Sequence, residues 1–429
     1  MNDFVFEIFV PNGTPTYTYV KRVEKKNEEH LATALEIPKL VISISGPSKT
    51  GKTALVDTLI TTDRLVPITG QSLHSSNDLW QSVMRWIGGP DEVEKIKERA
   101  LKGSFAGKAS AEAGVLVAKA KTEGELSGSA EFTTATSKKF GTVFFEAVAK
   151  ELGGSDFVVF LDDFHYIEED AQVEIAKSIK AIAERNVRVC IASVPHKSDD
   201  MVRANDELSG RIFSIGFDYW SVQELEVIAN SGFEHLCVNI APHIIKRLAT
   251  EALGSPQLMQ SLCLNLCLEK GIRDKQGPNN KTDISDNEYR SVLERTTLQT
   301  DYSRTVEKLH TGAKERGTQR KEFDLTDGSN GDVYRAILLA LVQNPPMLSF
   351  DYDQIMDRIK SICVKESPVG SSVQLALKQM DGIAKDIKRD SPVLEWDDDK
   401  LEVTNPYFMF YLRSSQKINQ IHEGKSGMV

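Results

Sequence analysis

Gly46, Gly51, Lys52 and Thr53, within GPSKTGKT, match the pattern G-x-x-x-x-G-K-[ST] without departure. Glycines at this spacing let the backbone curl so that successive N–H groups point at phosphate oxygens. The cradle so predicted is Gly46, Pro47, Ser48, Lys49, Thr50, Gly51, Lys52, Thr53 and Ala54. Lys52 would place its charge on the β and γ phosphates of a nucleoside triphosphate, and the Thr53 hydroxyl would ligate Mg²⁺. A second constellation follows an apolar run: Phe157-Val-Val-Phe-Leu161 ends in Asp162-Asp163. A buried strand that delivers carboxylates at its C-terminal end suits a metal and a water, so Asp162 is expected to hold the metal and Asp163 to orient or deprotonate the attacking water.

Both constellations need a particular scaffold. KLVISIS at 39–45 is rich in β-branched residues and runs straight into the glycine loop, which predicts a buried central strand. TALVDTLITT continues as a helix, so the positive end of its dipole would face the phosphates. Further helices are predicted at 24–36, 76–87 (capped by Ser75 or Ser76), 140–152 and 169–185, with strands at 187–194 and 211–217. Ser221 and Glu224 read as a capping box that opens the next helix. Alternating strands and helices imply an α/β class with a mostly parallel sheet covered on both faces. At the start, FVFEIFV and YTYVKR flank Pro-Asn-Gly and read as a hairpin of two short strands.

From about 240 the strands are expected to stop. Helices at 241–253 and 257–270 flank Gly254-Ser255-Pro256, a polar loop fills 271–283, and Ser285 with Glu288 caps another helix. The expected organisation is an N-terminal hairpin and helix at 1–36, a nucleotide-binding core at 37–238, a helical lid at 239–310, a polar Gly-rich linker at 311–331 and a C-terminal domain at 332–429. Within the core, 102–139 is built from Gly, Ala, Ser and Thr with alternating charge and reads as an inserted hairpin or loop.

The 429 residues, 40% hydrophobic and 27% charged, suit two or three globular domains. A net charge of −10 repels polyphosphate as a whole, so any nucleic-acid contact needs a local basic patch. The acidic start does not resemble a signal peptide, and no apolar run approaches the roughly 20 residues of a membrane span. Five scattered cysteines read as reduced thiols, which predicts a cytoplasmic protein. Cys263 and Cys267, one helical turn apart, are expected to be core packing. No nucleophile-and-base cluster is apparent and the eight histidines are dispersed, so a second enzymatic centre is not expected.

With these elements placed, the chain resembles the AAA+-related STAND ATPases and the similar origin-recognition initiator ATPases. The resemblance implies ATP and ADP with Mg²⁺ as ligands, and ATP hydrolysis that is slow because Asp163 is one methylene shorter than glutamate. It places Arg22 and Glu24 in an Arg-x-Glu box beside the adenine, with Lys21 where many members have glycine. Ser193, closing VRVCIAS, stands where the family has a polar γ-phosphate sensor; a serine that merely ends a strand is the alternative. Arg211 resembles the arginine that reaches a neighbour's nucleotide in ring-forming members; an arginine opening an edge strand is the alternative. Gly254-Ser255-Pro256 resembles the Gly-x-Pro turn with which STAND lids touch nucleotide, Pro256 being the contact. Gln257 follows where ring-forming relatives carry a sensing arginine, which favours a switch over a processive motor.

Helices at 333–343, 351–363 and 372–388, then strands at 393–396 and 400–403, have the order of a winged helix, and LEVTNPYFMFYLR resembles its end in STAND-like ATPases. Lys378, Lys385, Lys388 and Arg389 could meet phosphates, while Asp397-Asp398-Asp399 in the wing would repel them. The reading is therefore a regulatory switch ATPase that passes its nucleotide state to a protein partner, with homo-oligomers compatible. By analogy with small standalone members it would act in microbial defence or signalling. The alternative is a DNA-binding initiator or loader.

Overall fold

The computed structural model describes residues 3–88, 143–194, 210–277, 280–313, 320–389, 391–397 and 399–426. The predicted insert at 102–139 lies outside the described residues. The chain divides into two compact units, Val23–Gly46 with Lys52–Phe217, and Met1–Arg22 with Pro47–Gly51 and Asp218–Val429.

The first unit is built on a five-stranded parallel sheet of β1 (Val41–Ser45), β2 (Leu65–Thr69), β3 (Val158–Asp162), β4 (Arg188–Ser193) and β5 (Ile212–Gly216). Its order is β2-β3-β4-β1-β5. Strand period decides which residue faces which layer. Ile42, Ile44, Val158, Phe160, Cys190 and Ala192 join Leu31 and Val56 on one face, where the helices Asn27–Glu36 and Lys52–Leu59 pack. Their neighbours Val41, Val159, Leu161, Val189 and Ile191 join Trp80, Val83, Ile175 and Ile179 on the other. Those come from the helices Ser76–Trp86 and Glu169–Glu184, and a further helix spans 143–152. Burial on both faces is what the unbroken apolar strands dictate.

β2 is the strand the sequence reading missed. Pro67 breaks its pattern, but β2 lies at the sheet's edge, where a residue without an N–H is tolerated. The helix predicted from 24 begins at Asn27, after Lys26 in a left-handed conformation with φ 52°.

In the second unit the predicted N-terminal hairpin is corrected. Val5–Ile8 is one helical turn, and neither 4–10 nor 17–22 forms a strand. Val5, Ile8 and Phe9 are fully buried while Phe6 is 60% exposed, a spacing of i, i+3, i+4 that fits a helix and not a strand. Phe9 meets Phe233 edge-on with centroids 5.1 Å apart. The helices Val222–His235, Pro242–Glu251, Pro256–Glu269 and Asp286–Thr297 follow, with both predicted capping boxes present. Strands do not stop at 240: β6 (Val238–Ile240) and β7 (Asn280–Thr282), the latter inside the predicted polar loop, pair in parallel. Cys263 and Cys267 are core residues, and burial pushes the Cys267 thiol up to about 12.

The same core continues into the C-terminal elements. After the helix Ser303–Thr311, β8 (Phe323–Asp324) and β9 (Asn330–Gly331) form a short antiparallel pair. Three helices, Val333–Leu341, Tyr352–Ile362 and Gly370–Ile387, accompany an antiparallel sheet of β10 (Ser349–Asp351), β12 (Lys400–Glu402) and β11 (Glu395–Asp397) in the order β10-β12-β11. The helix Pro406–Ser414 is buried from Pro406 to Leu412. Its Arg413 is gripped by Glu251 at 2.7 Å, and Tyr407 meets Ser261 at 3.2 Å. Among the described residues no helix is long and apolar enough to cross a membrane.

Candidate nucleotide-binding site

The geometry of the parallel sheet brings Thr53, Asp162, Asp163 and Ser193 of the first unit to one end of the strands. β4 lies between β1, which leads into the glycine loop, and β3, which ends in the acid pair. Ser45 and Ser193 are aligned in register, and the Ser193 carbonyl accepts from the Gly46 N–H at 3.2 Å. Ser193 is 2% exposed at the C-terminal end of the strand between the loop and the acids. Burial and the charge of Asp162 together hold the thiol of Cys190, on this strand, well above its ordinary range.

The two residues expected to hold a metal meet. The Thr53 hydroxyl donates to Asp162 Oδ2 at 2.8 Å, across 109 positions of sequence. A hydroxyl and a carboxylate oxygen so placed are a donor set for a hard dication that keeps several of its own waters. Asp163 follows in the left-handed region at φ 58°, ψ 37°, and its N–H donates to Asp162 Oδ1 at 2.9 Å. Aspartate tolerates this conformation better than most side chains.

Gly70 backs that turn: a Cβ there would overlap the Asp163 carbonyl. This residue, on a segment the sequence reading left unassigned, is one it could not have chosen. We expect Gly70→Ala to retain ATP affinity within about twofold while hydrolysis falls on the order of tenfold to 100-fold, because displacing a catalytic group by a fraction of an ångström suffices for such losses. Parallel nucleotide titration and phosphate-release assays decide it, unchanged hydrolysis counting against a backing role.

Gly46 is constrained as well. A Cβ there would overlap Phe217, whose N–H donates to the Ser45 carbonyl at 2.6 Å. Lys52 Nζ reaches back to the Gly46 carbonyl at 2.8 Å and closes the mouth of the loop. Lys49 and Gly51 have positive φ, 66° and 97°, while the intervening Thr50 does not, and this change of hand curls the loop. Thr50, fully buried, donates its hydroxyl to the Pro47 carbonyl at 2.8 Å.

In the second unit the loop residues meet Trp220, which sequence reasoning did not single out, and Ser255, which it marked only as the middle of its turn. Trp220 Nε1 donates to the Thr50 carbonyl at 2.9 Å, and Ser255 Oγ to the Lys49 carbonyl at 3.2 Å. Pro256 comes within 3.9 Å of where a Cβ on Gly51 would lie. Arg22 is 7% exposed and fully engaged: Nε donates to Glu224 at 2.8 Å, Nη1 to the Asp218 carbonyl at 3.0 Å, and the guanidinium lies 5.1 Å from the centre of the Trp220 ring. Arg22 holds Glu224 below the usual carboxylate range, against its partial burial.

Arg211 is not brought to this end. It precedes β5, its carbonyl accepting from the Val41 N–H at 3.0 Å, at the N-terminal end of the sheet. The loop follows Ser45, opposite Gly216, so five residues of strand, about 16 Å, separate Arg211 from it. That exceeds the reach of an arginine, so Arg211 cannot serve its own chain's loop. Its ion pair with Glu184 is half exposed and therefore weak.

Strand order, loop and acid pair together define the AAA+ P-loop NTPase fold. One solved structure supports the fold, and two others resemble the chain less closely. The Aeropyrum pernix ORC2 protein, in ADPNP–ADP complexes, superposes with a TM-score of 0.50 at 11% identity, covering 99% of this chain and all of that one. Cdc6p from Pyrobaculum aerophilum gives 0.44 at 12% identity over 98% of this chain and all of that one. A Walker-type ATPase of Pyrococcus abyssi gives 0.46 at 14% over 93% of this chain and all of that one. No protein-family model matches the chain, and no curated protein matches it in sequence.

Proposed function

We propose that the chain binds ATP with Mg²⁺, hydrolyses it, and uses the nucleotide state to control contact of its C-terminal domain with duplex DNA, in the manner of an initiator-like AAA+ ATPase. The observation that carries the nucleotide reading is the 2.8 Å bond between Thr53 and Asp162, because it brings the hydroxyl that follows the glycine loop and the carboxylate at the strand end to one place, as a shared Mg²⁺ would need. The amides of residues 48–54 bind the phosphates, and Lys52 balances their charge. Asp163 holds the attacking water and takes its proton. Ser193 contributes a hydroxyl toward the γ-phosphate. Thr53 and Asp162 would hold Mg²⁺, which when bound would supply a Lewis acid to offset the charge on the transferring phosphoryl group. Arg211 serves the nucleotide of a neighbouring copy, which its place at the far end of the sheet allows and which makes the active form a homo-oligomer.

The order of three helices and a three-stranded antiparallel sheet is that of a winged helix. On the helix Gly370–Ile387, Lys378 and Lys385 are exposed, as phosphate contacts must be. Opposed to the DNA reading are Asp397 and Asp399 in the wing, and Asp381, which pairs with Lys385 at 2.8 Å.

A second reading, a STAND-type switch that signals to a protein partner, retains one specific support: Gln257 where a sensing arginine would stand. One set of assays separates the two. The full chain with Mg²⁺ should release phosphate from ATP, lose that activity in EDTA, and show specific activity rising with its own concentration. ATP should also let it retard duplex DNA, with affinity falling steeply as salt is raised. Retardation absent at low salt leaves the switch reading; phosphate release unaffected by EDTA sinks both.

A further inference from the structure

We propose that Trp220 and Ser255 are positioning residues that lock two peptide planes of the phosphate-binding loop, so that the Thr50 and Gly51 N–H groups are held facing the phosphates before nucleotide arrives. The proposal rests on the nucleotide-binding reading and adds to it the side chains that set the cradle's affinity.

In a trans peptide the carbonyl of one residue and the N–H of the next point in opposite directions. Holding a carbonyl on the outside of a curl therefore fixes the following N–H on the inside. The Lys49 carbonyl is held by Ser255 Oγ at 3.2 Å and the Thr50 carbonyl by Trp220 Nε1 at 2.9 Å. The two planes so fixed carry the N–H groups of Thr50 and Gly51. Several N–H dipoles converging on one point repel each other when no anion is present, and a loop with left-handed φ at Lys49 and Gly51 has neighbouring conformations into which a plane can rotate. Anchoring the carbonyls removes that escape and its cost on binding.

Both anchors are themselves fixed. Ser255 is fully buried and uses its hydroxyl twice, accepting from the Leu258 N–H at 3.2 Å as a helix cap while its proton goes to Lys49. The Trp220 N–H donates to the Gly254 carbonyl at 3.0 Å. Gly254 has φ 73°, and a Cβ there would lie 2.7 Å from the Tyr219 Cβ, so the turn that presents Ser255 needs glycine. Arg22 stacks on the Trp220 ring and is pinned by Glu224 and the Asp218 carbonyl, which orients the indole. Arg22 thus acts on the loop through Trp220.

The test uses the full-length protein, titrated by calorimetry with ATP and Mg²⁺, in four forms: parent, Trp220→Phe, Ser255→Ala and Lys52→Ala. Trp220→Phe keeps an aromatic ring under Arg22 and removes the indole donor. We expect it and Ser255→Ala each to weaken ATP affinity about fivefold, one net hydrogen bond's worth, and to shrink the rise in melting temperature that ATP produces. The melting temperature of nucleotide-free Trp220→Phe should match the parent. A packing role alone would instead lower that temperature and leave the dissociation constant of the folded protein in place. If both variants bind like the parent while Lys52→Ala has lost ATP, the lock is wrong and the nucleotide site stands. If Lys52→Ala also binds like the parent, the site and the lock fall together.

Discussion

Lys52→Ala should lower the affinity for ATP at least about 100-fold while the protein still folds. The ammonium group is tied to the Gly46 carbonyl at 2.8 Å, at the base of the loop. That bond is a modest part of the fold, worth about 1 kcal/mol, so its loss should leave a cooperative melting transition. Toward a triphosphate the same group is a full charge against several, in a site where backbone amides supply the remaining donors. Charge-assisted bonds of this kind are roughly twice as strong as neutral ones, and losing two of them is about 4 kcal/mol, which exceeds the 100-fold stated as the minimum. Calorimetric titration alongside thermal melting measures both halves. An ATP affinity equal to the parent's would remove the basis for every functional statement about the loop.

What was legible in the sequence was legible for a physical reason. The loop constrains residue type at fixed positions of one short segment, and its flanking strand is buried on both faces, so its apolar run has no interruptions. The same holds for β3, whose apolar residues lead straight into Asp162. β2 was hidden because Pro67 contradicts the strand rule that an edge position suspends. At the N-terminus the spacing of Val5, Ile8 and Phe9 was present in the sequence, but alternation among seven mostly apolar residues fits two periods, and only packing on Phe233 chooses. Trp220 and Gly70 were invisible as site residues, and Ser255 was marked only as the middle of its turn, because each acts on backbone atoms distant in sequence and a backbone carbonyl leaves no mark on residue type. For Arg22 the motif drew attention to the residue, while its partners, Glu224 and Trp220, are given by folding alone.

Asp163→Asn should reduce ATP hydrolysis on the order of 100-fold to 1,000-fold and leave ATP affinity within about twofold, since a general base contributes this much to the chemical step and nothing to ground-state binding. Asparagine suits the left-handed conformation at φ 58° as well as aspartate does, and the N–H that donates to Asp162 Oδ1 is retained. The backbone beside Gly70 therefore has no reason to move, and any loss belongs to the carboxylate. Asp162→Asn provides the contrast. Its carboxylate takes the Thr53 hydroxyl, so its neutral replacement should weaken binding of the metal–nucleotide complex and raise the Mg²⁺ concentration needed for half-maximal hydrolysis. Single-turnover phosphate release at saturating nucleotide, measured across Mg²⁺ concentrations, separates a lost base from a lost metal ligand. Should Asp163→Asn hydrolyse ATP at the parent's rate, the proton acceptor lies elsewhere, and Asp163 serves only to turn the chain away from the end of β3.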